Sequence, residues 1–189
     1  MLIDNKKWIA FFSHTGNEIY NISKELGRYP DRVITNKSPG DSTINKKLAR
    51  KVDMMYVSDR PTVQDYDRVI WPGSVITLHG WMRIVPEIIC DRNEIYNLHP
   101  GLITKYPELK GKDPQKRVAE CTKFTYSHVG CVIHRVIPQV DEGKVLAETS
   151  TRNDHYSEQM LTDHLHSMAQ DLWVDFINLT ANEKTLQAG

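Results

Sequence analysis

Trp8-Ile9-Ala10-Phe11-Phe12-Ser13-His14-Thr15-Gly16-Asn17 decides the fold class. Its first five residues are a continuous apolar run, as expected of a central strand buried on both faces of a parallel sheet. Ser13 to Asn17 turn the chain. Ile19, Ile22 and Leu26 then fall at helical spacing, and Gly27 lies just past them, where a left-handed residue ends a helix. The rhythm continues outward. Val33-Ile34-Thr35 and Met54-Met55-Tyr56-Val57 read as strands around a helical stretch at Asn45 to Arg50. Val75-Ile76-Thr77-Leu78 and Ile95-Tyr96-Asn97-Leu98 read as two more, around a short helical stretch near Ile84 to Cys90. Strand and helix alternation predicts an α/β fold with a mostly parallel central sheet. Ligands of such sheets gather beyond the carboxyl ends of the strands.

Further along, Tyr106 to Lys116 carries Pro107, Gly111, Pro114 and several charges, which predicts a loop before Pro114 opens a short helix through Cys121. Phe124 to Val140 and Lys144 to Thr151 predict a hairpin of longer strands turning at Asp141-Glu142-Gly143. Tyr156 to Leu179 predicts a long helix. Its stripe of Met160, Leu161, His164, Met168, Leu172, Asp175, Phe176 and Leu179 steps by three and four and reads as core packing. Asn182 to Gly189 is expected to fray. With no repeat or linker, the 189 residues read as one domain spanning 1–189.

Lys plus Arg equals Asp plus Glu at 24 each, so no strong attraction to nucleic acid or an anionic membrane is expected, and the partner reads as a small molecule. Cys90, Cys121 and Cys131 make neither a C-x-x-C pair nor a zinc pattern. Their odd number fits a reducing compartment, and no metal site is expected. No apolar run approaches the roughly 18 to 20 residues of a membrane span, and no secretory leader is visible. The expectation is a soluble, cytoplasmic protein.

The residues able to do chemistry are concentrated in Asn97-Leu98-His99-Pro100, then His134 and Asp141-Glu142-Gly143. Two residues apart in an extended segment, Asn97 and His99 point to one side. Pro100 presses His99 toward extended backbone. A carboxylate beside His99 would favour its imidazolium form and fix its orientation. An amide donor, an imidazole and a carboxylate suit acyl transfer to an amine, which creates an oxyanion and a positively charged nitrogen together. By spacing alone Asp141 reads equally well as a turn residue, and His134, in an alternating strand, reads as structural but able to line a pocket.

The run Asn97 to Pro107, NLHPGLITKYP, resembles the folate-dependent formyltransferases, and among them most the phosphoribosylglycinamide formyltransferases, whose pattern is N-hydrophobic-H-P-S-L-L-P-K-Y-P. His79-Gly80-Trp81-Met82-Arg83-Ile84-Val85-Pro86 is similar to that family's G-F-M-R-I-L segment. Gly130 to Asp141, GCVIHRVIPQVD, is similar to its G-T-S-V-H stretch ending in the catalytic Asp. The three separated motifs stand in the right order, and the resemblance runs over roughly the whole chain.

The resemblance implies a Rossmann-like formyltransferase fold, with an antiparallel C-terminal strand pair and a long C-terminal helix. It implies transfer of a formyl group from 10-formyltetrahydrofolate to a primary amine, above all that of glycinamide ribonucleotide, by a monomer or homodimer. Asn97 and His99 would stabilise the oxyanion and Asp141 would support the imidazole. Met82, Arg83, Ile84, Val85 and Asn97 would hold the folate, with Ile137, Pro138, Gln139, Val140 and Asp141 as the opposing wall. His14, Thr15, Gly16 and Asn17 would bind the substrate phosphate. The family's Gln and Glu contacts to the ribonucleotide fall near His166 and Ala169. Glu18 stands where the family has Asn, and a carboxylate facing the site would repel phosphate. Arg60 reads as a solvated arginine, or one reaching the glutamate tail of the folate. Trp81 and Arg83 read alternatively as a surface cation–aromatic pair.

Two other readings stand beside this one. Aminosugar-nucleotide N-formyltransferases share the Asn, His and Asp set. From a different class, Ser13-x-Thr15-Gly16-Asn17 resembles the flavin mononucleotide phosphate loop of flavodoxin-like electron carriers. The neutral charge and the NLHPG motif speak against flavin. The loop also suits an ordinary strand-to-helix turn capped by Thr15 or Asn17.

Overall fold

The apolar run is strand β1 (Trp8–Phe12), and all its side chains are buried. It can be apolar on both faces because it lies inside the sheet, pairing in parallel with β2 (Arg32–Thr35) and β4 (Val75–His79). β3 (Asp53–Tyr56) joins β2 in parallel and β5 (Glu94–His99) joins β4 in parallel. β6 (His128–Arg135) and β7 (Val145–Arg152) continue the sheet antiparallel, giving the order β3-β2-β1-β4-β5-β6-β7. The computed structural model describes residues 2–121, 125–154 and 156–179. The expected fraying of 182–189, and Phe124 as the start of a strand, lie outside the described residues.

Helices cover both faces. On one side pack α1 (Asn17–Leu26), α5 (Pro114–Glu120) and α6 (Glu158–Leu179), and on the other α3 (Val63–Val69) and α4 (Glu87–Arg92). β1 feeds both layers, since Trp8 joins the core under α6 while Ile9 and Phe11 join the core under α3 and α4. Gly27 ends α1 in the left-handed conformation, φ 65°, where a side chain would be strained. α2 (Lys46–Ala49) is one turn, capped by the Asn45 side chain, which accepts from the N–H groups of Lys47 and Leu48.

Four sequence expectations are corrected. The stretch between Val57 and Val75, to which no element was assigned, contains α3. Its signal is Thr62-x-x-Asp65, a capping box with both reciprocal hydrogen bonds formed. The helix expected from Ile84 begins only after Pro86, because the proline ring disfavours helical backbone at Val85. The first hairpin strand is shorter than predicted, while the second lies within a residue of the expected span: residues 136–144 form an irregular connection rather than a tight turn at 141–143. Pro138 has no N–H to give a ladder. Finally, α6 starts after Ser157, whose hydroxyl accepts from Met160 N–H, and its buried face is Leu161, Leu165, Ala169, Leu172, Trp173, Phe176 and Ile177. Met160 and Asp175 are exposed. Fully buried Trp173 and Ile177 set the phase, because their bulk gains most from leaving water.

The 136–144 connection is drawn tight at its base. Arg135 N–H donates to the Lys144 carbonyl at 2.9 Å, and a Cβ built on Gly143 would overlap the Arg135 carbonyl oxygen. Gly143→Ala should therefore cost about 2 kcal/mol or more of stability, read as a lowered urea midpoint with an unchanged slope. A midpoint equal to that of the parent would show that the connection relaxes freely.

Candidate active site

The site is assembled at the end of β5. Asn97 and His99 lie on one face of the strand, and the antiparallel register sets His134 of β6 directly opposite Asn97. Asn97 Nδ2 lies 3.2 Å from His134 Nε2. The 136–144 connection then brings Asp141 back over both rings. Its Oδ2 lies 3.1 Å from His99 Nδ1 and its Oδ1 lies 3.3 Å from His134 Nε2. Gly111 N–H donates to Oδ2 at 2.8 Å. Asp141 itself has φ 54°, a left-handed conformation that Asp tolerates better than most side chains. The sequence-predicted trio thus meets, and His134, read as structural, is its fourth member. A strand period places His134 on a face, but only the register, which is not written locally, puts it against Asn97.

The cluster is dry. Relative exposures of His99, His134 and Asp141 are 4%, 3% and 8%. Burial pushes the Asp141 carboxyl up, but hydrogen bonds from His134 and His99, the His99 charge and the Gly111 N–H outweigh it and hold the group well below the usual carboxylate range. His99 Nε2 lies 2.9 Å from the Leu109 carbonyl. Carboxylate and carbonyl can only accept, so both ring nitrogens of His99 act as donors in this arrangement.

A second layer fixes the loop before α5. Arg117 donates to the carbonyls of Leu109, Lys110 and Lys112 at 3.0, 2.8 and 3.0 Å, and also to that of Glu108. Lys110 pairs with Glu142 at 2.6 Å, so this loop and the 136–144 connection close on each other across Asp141. Tyr106 of the K-Y-P run stands against Tyr126 and hydrogen-bonds to Ser127, anchoring the start of the loop.

A cleft of about 770 Å³ opens above this cluster, over the carboxyl ends of β4 and β5. Met82, Arg83, Ile84 and Val85 border it, as do Asn97, Ile137, Pro138, Val140 and Asp141. Gln139 does not. Met82, Ile84 and Val140 are 51%, 73% and 54% exposed. Exposed apolar side chains rimming a few convergent polar groups suit a flat heterocycle, and the volume is in the range of small-molecule sites. These residues fit the pterin of a folate. Arg83 does not pair with Trp81: it binds Asp59, while buried Trp81 donates to Tyr66 Oη at 3.1 Å. Arg60 is exposed and does not border the cleft.

Where the cleft meets α1 and α6, its lining is His14, Glu18, Leu165, His166 and Ala169. Of the four residues expected to bind phosphate, only His14 is among them. Thr15 Oγ1 instead accepts from Asn17 N–H at 3.2 Å, and Asn17 Oδ1 accepts from Asn45 Nδ2 at 2.8 Å. Thr15 thus serves the turn itself, and Asn17 ties the turn to the start of α2. Glu18 is also engaged, with Oε2 2.7 Å from Nδ1 of buried His79.

Because Asp141 titrates lower in the folded chain, its contribution to stability is complete above the ordinary carboxylate range and is lost as the pH falls below about 4. Asp141→Asn should therefore be less stable than the parent by about 2 kcal/mol at pH 7, with the gap closing toward pH 3. Urea unfolding across that range checks this, and a pH-independent gap would contradict it.

A family model described as formyl transferase matches residues 28–177. Trifunctional purine biosynthetic protein adenosine-3 of Drosophila pseudoobscura pseudoobscura is 30% identical over 148 residues, which is 67% of this chain and 10% of that protein. The chain thus spans about a tenth of that relative's length. Among solved structures, phosphoribosylglycinamide formyltransferase from Anaplasma phagocytophilum superposes with a TM-score of 0.78 at 19% identity, covering 95% of this chain and 88% of that one. A formyltetrahydrofolate deformylase from Pseudomonas syringae pv. tomato superposes with 0.70 at 17% identity, covering 88% of this chain and 58% of that one. The two structures share the fold, while the family match runs through the cleft and the Asn97, His99 and Asp141 cluster and leaves the flavin reading without support. By that match, which covers most of the chain, this chain belongs to the formyl transferase family.

Proposed function

We propose that this chain, as a single catalytic domain, formylates the primary amine of a small acceptor, and that glycinamide ribonucleotide or a close phosphorylated relative is the acceptor to assay first. The observation that carries the reading is the Asp141 carboxylate joined to both His99 and His134, with Asn97 alongside, at a cleft with apolar walls. 10-Formyltetrahydrofolate supplies the carbon that is transferred. Met82 to Val85 and Ile137 to Val140 hold its ring, and covering them excludes water from the cluster.

Asn97 Nδ2–H and His99 Nε2–H are the donors for the oxygen that gains charge as the amine adds. In this structure His99 Nε2 donates to Leu109, so serving the oxygen exchanges one acceptor for another. Asp141 keeps the His99 ring oriented through Nδ1 and helps take the proton from the attacking nitrogen through water. His134 holds Asp141 from the far side, donating from Nε2 to Oδ1. An aminosugar nucleotide is the second reading, favoured by one observation: the α1 and α6 part of the cleft presents the Glu18 carboxylate, which suits a hydroxyl-rich acceptor.

Incubation with 10-formyltetrahydrofolate and a panel holding glycinamide ribonucleotide and several aminosugar nucleotides should give one amine the mass of an added formyl group. Asn97→Ala, His99→Ala and Asp141→Asn should each lower kcat by about 100- to 10,000-fold, with the circular dichroism of the parent. Full turnover in all three variants would overturn the mechanism.

A further inference from the structure

One buried chain of hydrogen bonds ends in the cleft and has no part in the chemistry above. Trp8 Nε1–H donates to Thr77 Oγ1 at 2.9 Å, and Thr77 Oγ1 lies 2.8 Å from His79 Nε2. His79 Nδ1 lies 2.7 Å from Glu18 Oε2. Trp8 and Thr77 are wholly buried, the His79 side chain is 1% exposed, and its ring packs on Trp173 with centroids 4.9 Å apart. Glu18 is the outer member, its side chain 26% exposed at the lining of the cleft.

Counting protons along this chain fixes the arrangement. An indole N–H only donates, so Thr77 accepts it with one lone pair. Beside an ionised Glu18, which can only accept, a neutral His79 carries its ring proton on Nδ1 and accepts the Thr77 hydroxyl hydrogen at Nε2. A charged His79 donates from Nε2 to the second Thr77 lone pair and keeps Nδ1–H as well. In both states Nδ1–H faces Glu18 Oε2. The carboxylate is thus held by one oxygen, and the other, Oε1, has no hydrogen-bond partner among the described residues. Its charge also lies in the first turn of α1, where it offsets the positive end of the helix dipole that would otherwise draw an anion.

We propose that Glu18 selects the acceptor: Oε1 takes a hydrogen bond from a hydroxyl or amino group of the acceptor, and the fixed carboxylate keeps any acceptor phosphate away from the N-terminus of α1. His79 is the positioning residue behind it. The proposal rests on the formyl-transfer reading and names the contact that recognises the amine-bearing molecule.

The test uses the full chain and whichever panel amine is formylated, glycinamide ribonucleotide and aminosugar nucleotides included. Glu18→Gln should raise the acceptor KM about 10- to 100-fold, the worth of a hydrogen bond to a charged group, with kcat within threefold and donor affinity unchanged. A deoxy or N-blocked analogue lacking the recognised donor should lose the same factor with the parent and almost nothing further with Glu18→Gln. His79→Leu should raise the acceptor KM in the same way, with partial recovery in His79→Gln, which keeps an N–H donor. The Glu18 variant alone decides if the buried substitution unfolds. An acceptor KM within twofold of the parent, or a loss confined to kcat, would overturn the proposal. If no amine is formylated, the formyl-transfer reading fails, and calorimetric affinities of the panel amines for parent and Glu18→Gln chains still decide the role of Glu18: equal affinities overturn it, a selective loss supports it.

Discussion

The Asp141 carboxylate, ionised between two imidazoles in a nearly water-free setting, is the contact on which the rest of the site depends. A buried carboxylate is tolerated only where donors surround it. Here they come from three places in the chain: His99 on β5, His134 on β6 and the backbone N–H of Gly111. Each is delivered by a different structural device. Parallel pairing carries β5 out of the core, antiparallel pairing sets His134 against Asn97, and Arg117 gathers the carbonyls of the loop so that Gly111 can reach the carboxylate.

This division explains why the sheet changes direction at β5. A parallel strand after β5 would need a crossover over one face and would arrive pointing the same way. Antiparallel β6 instead enters at the carboxyl end of β5 and runs back beside it to Ile95, and the 136–144 connection then returns Asp141 to the cleft. Pro138 prevents that connection from zipping into the hairpin, leaving Ile137 and Val140 as cleft lining and Asp141 free to turn inward. The two parts of the cleft are consequently unlike. Beside Met82, Ile84, Val85, Ile137, Pro138 and Val140 it is apolar, while between α1 and α6 it carries a fixed negative charge and two histidines, His14 and His166.

Much of this was legible in the chain. Continuous apolar runs gave the parallel strands almost to the residue, because a strand buried on both faces leaves no room for polar interruptions. The Asn97, His99 and Asp141 trio was legible through its motifs. What was hidden has physical causes. α3 was missed because its signal is a capping box rather than a long apolar stripe. On α6 the expected Leu161, Leu172 and Phe176 are buried, but Met160 and Asp175 are exposed, because the bulk of Trp173 and Ile177 turns the buried face toward them. The partnership of His134 with Asn97 depends on register, and that of Glu18 with His79 on two segments sixty-one residues apart meeting across β1 and β4. The loop at Ser13 to Asn17 looked like an anion cradle because its composition is right. Of its residues His14 borders the cleft, while the side-chain oxygens of Thr15 and Asn17 accept from Asn17 N–H and Asn45 Nδ2–H.

The central claim, that one buried cluster faces the carbon being transferred, is tested most directly by a crystal structure of the chain with a non-transferable analogue of 10-formyltetrahydrofolate. The account predicts the ring between Met82 to Val85 and Ile137 to Val140, with the analogue's formyl-mimicking oxygen within hydrogen-bond reach of Asn97 Nδ2 and His99 Nε2. An analogue bound elsewhere, or bound with that oxygen turned away from both donors, would contradict it.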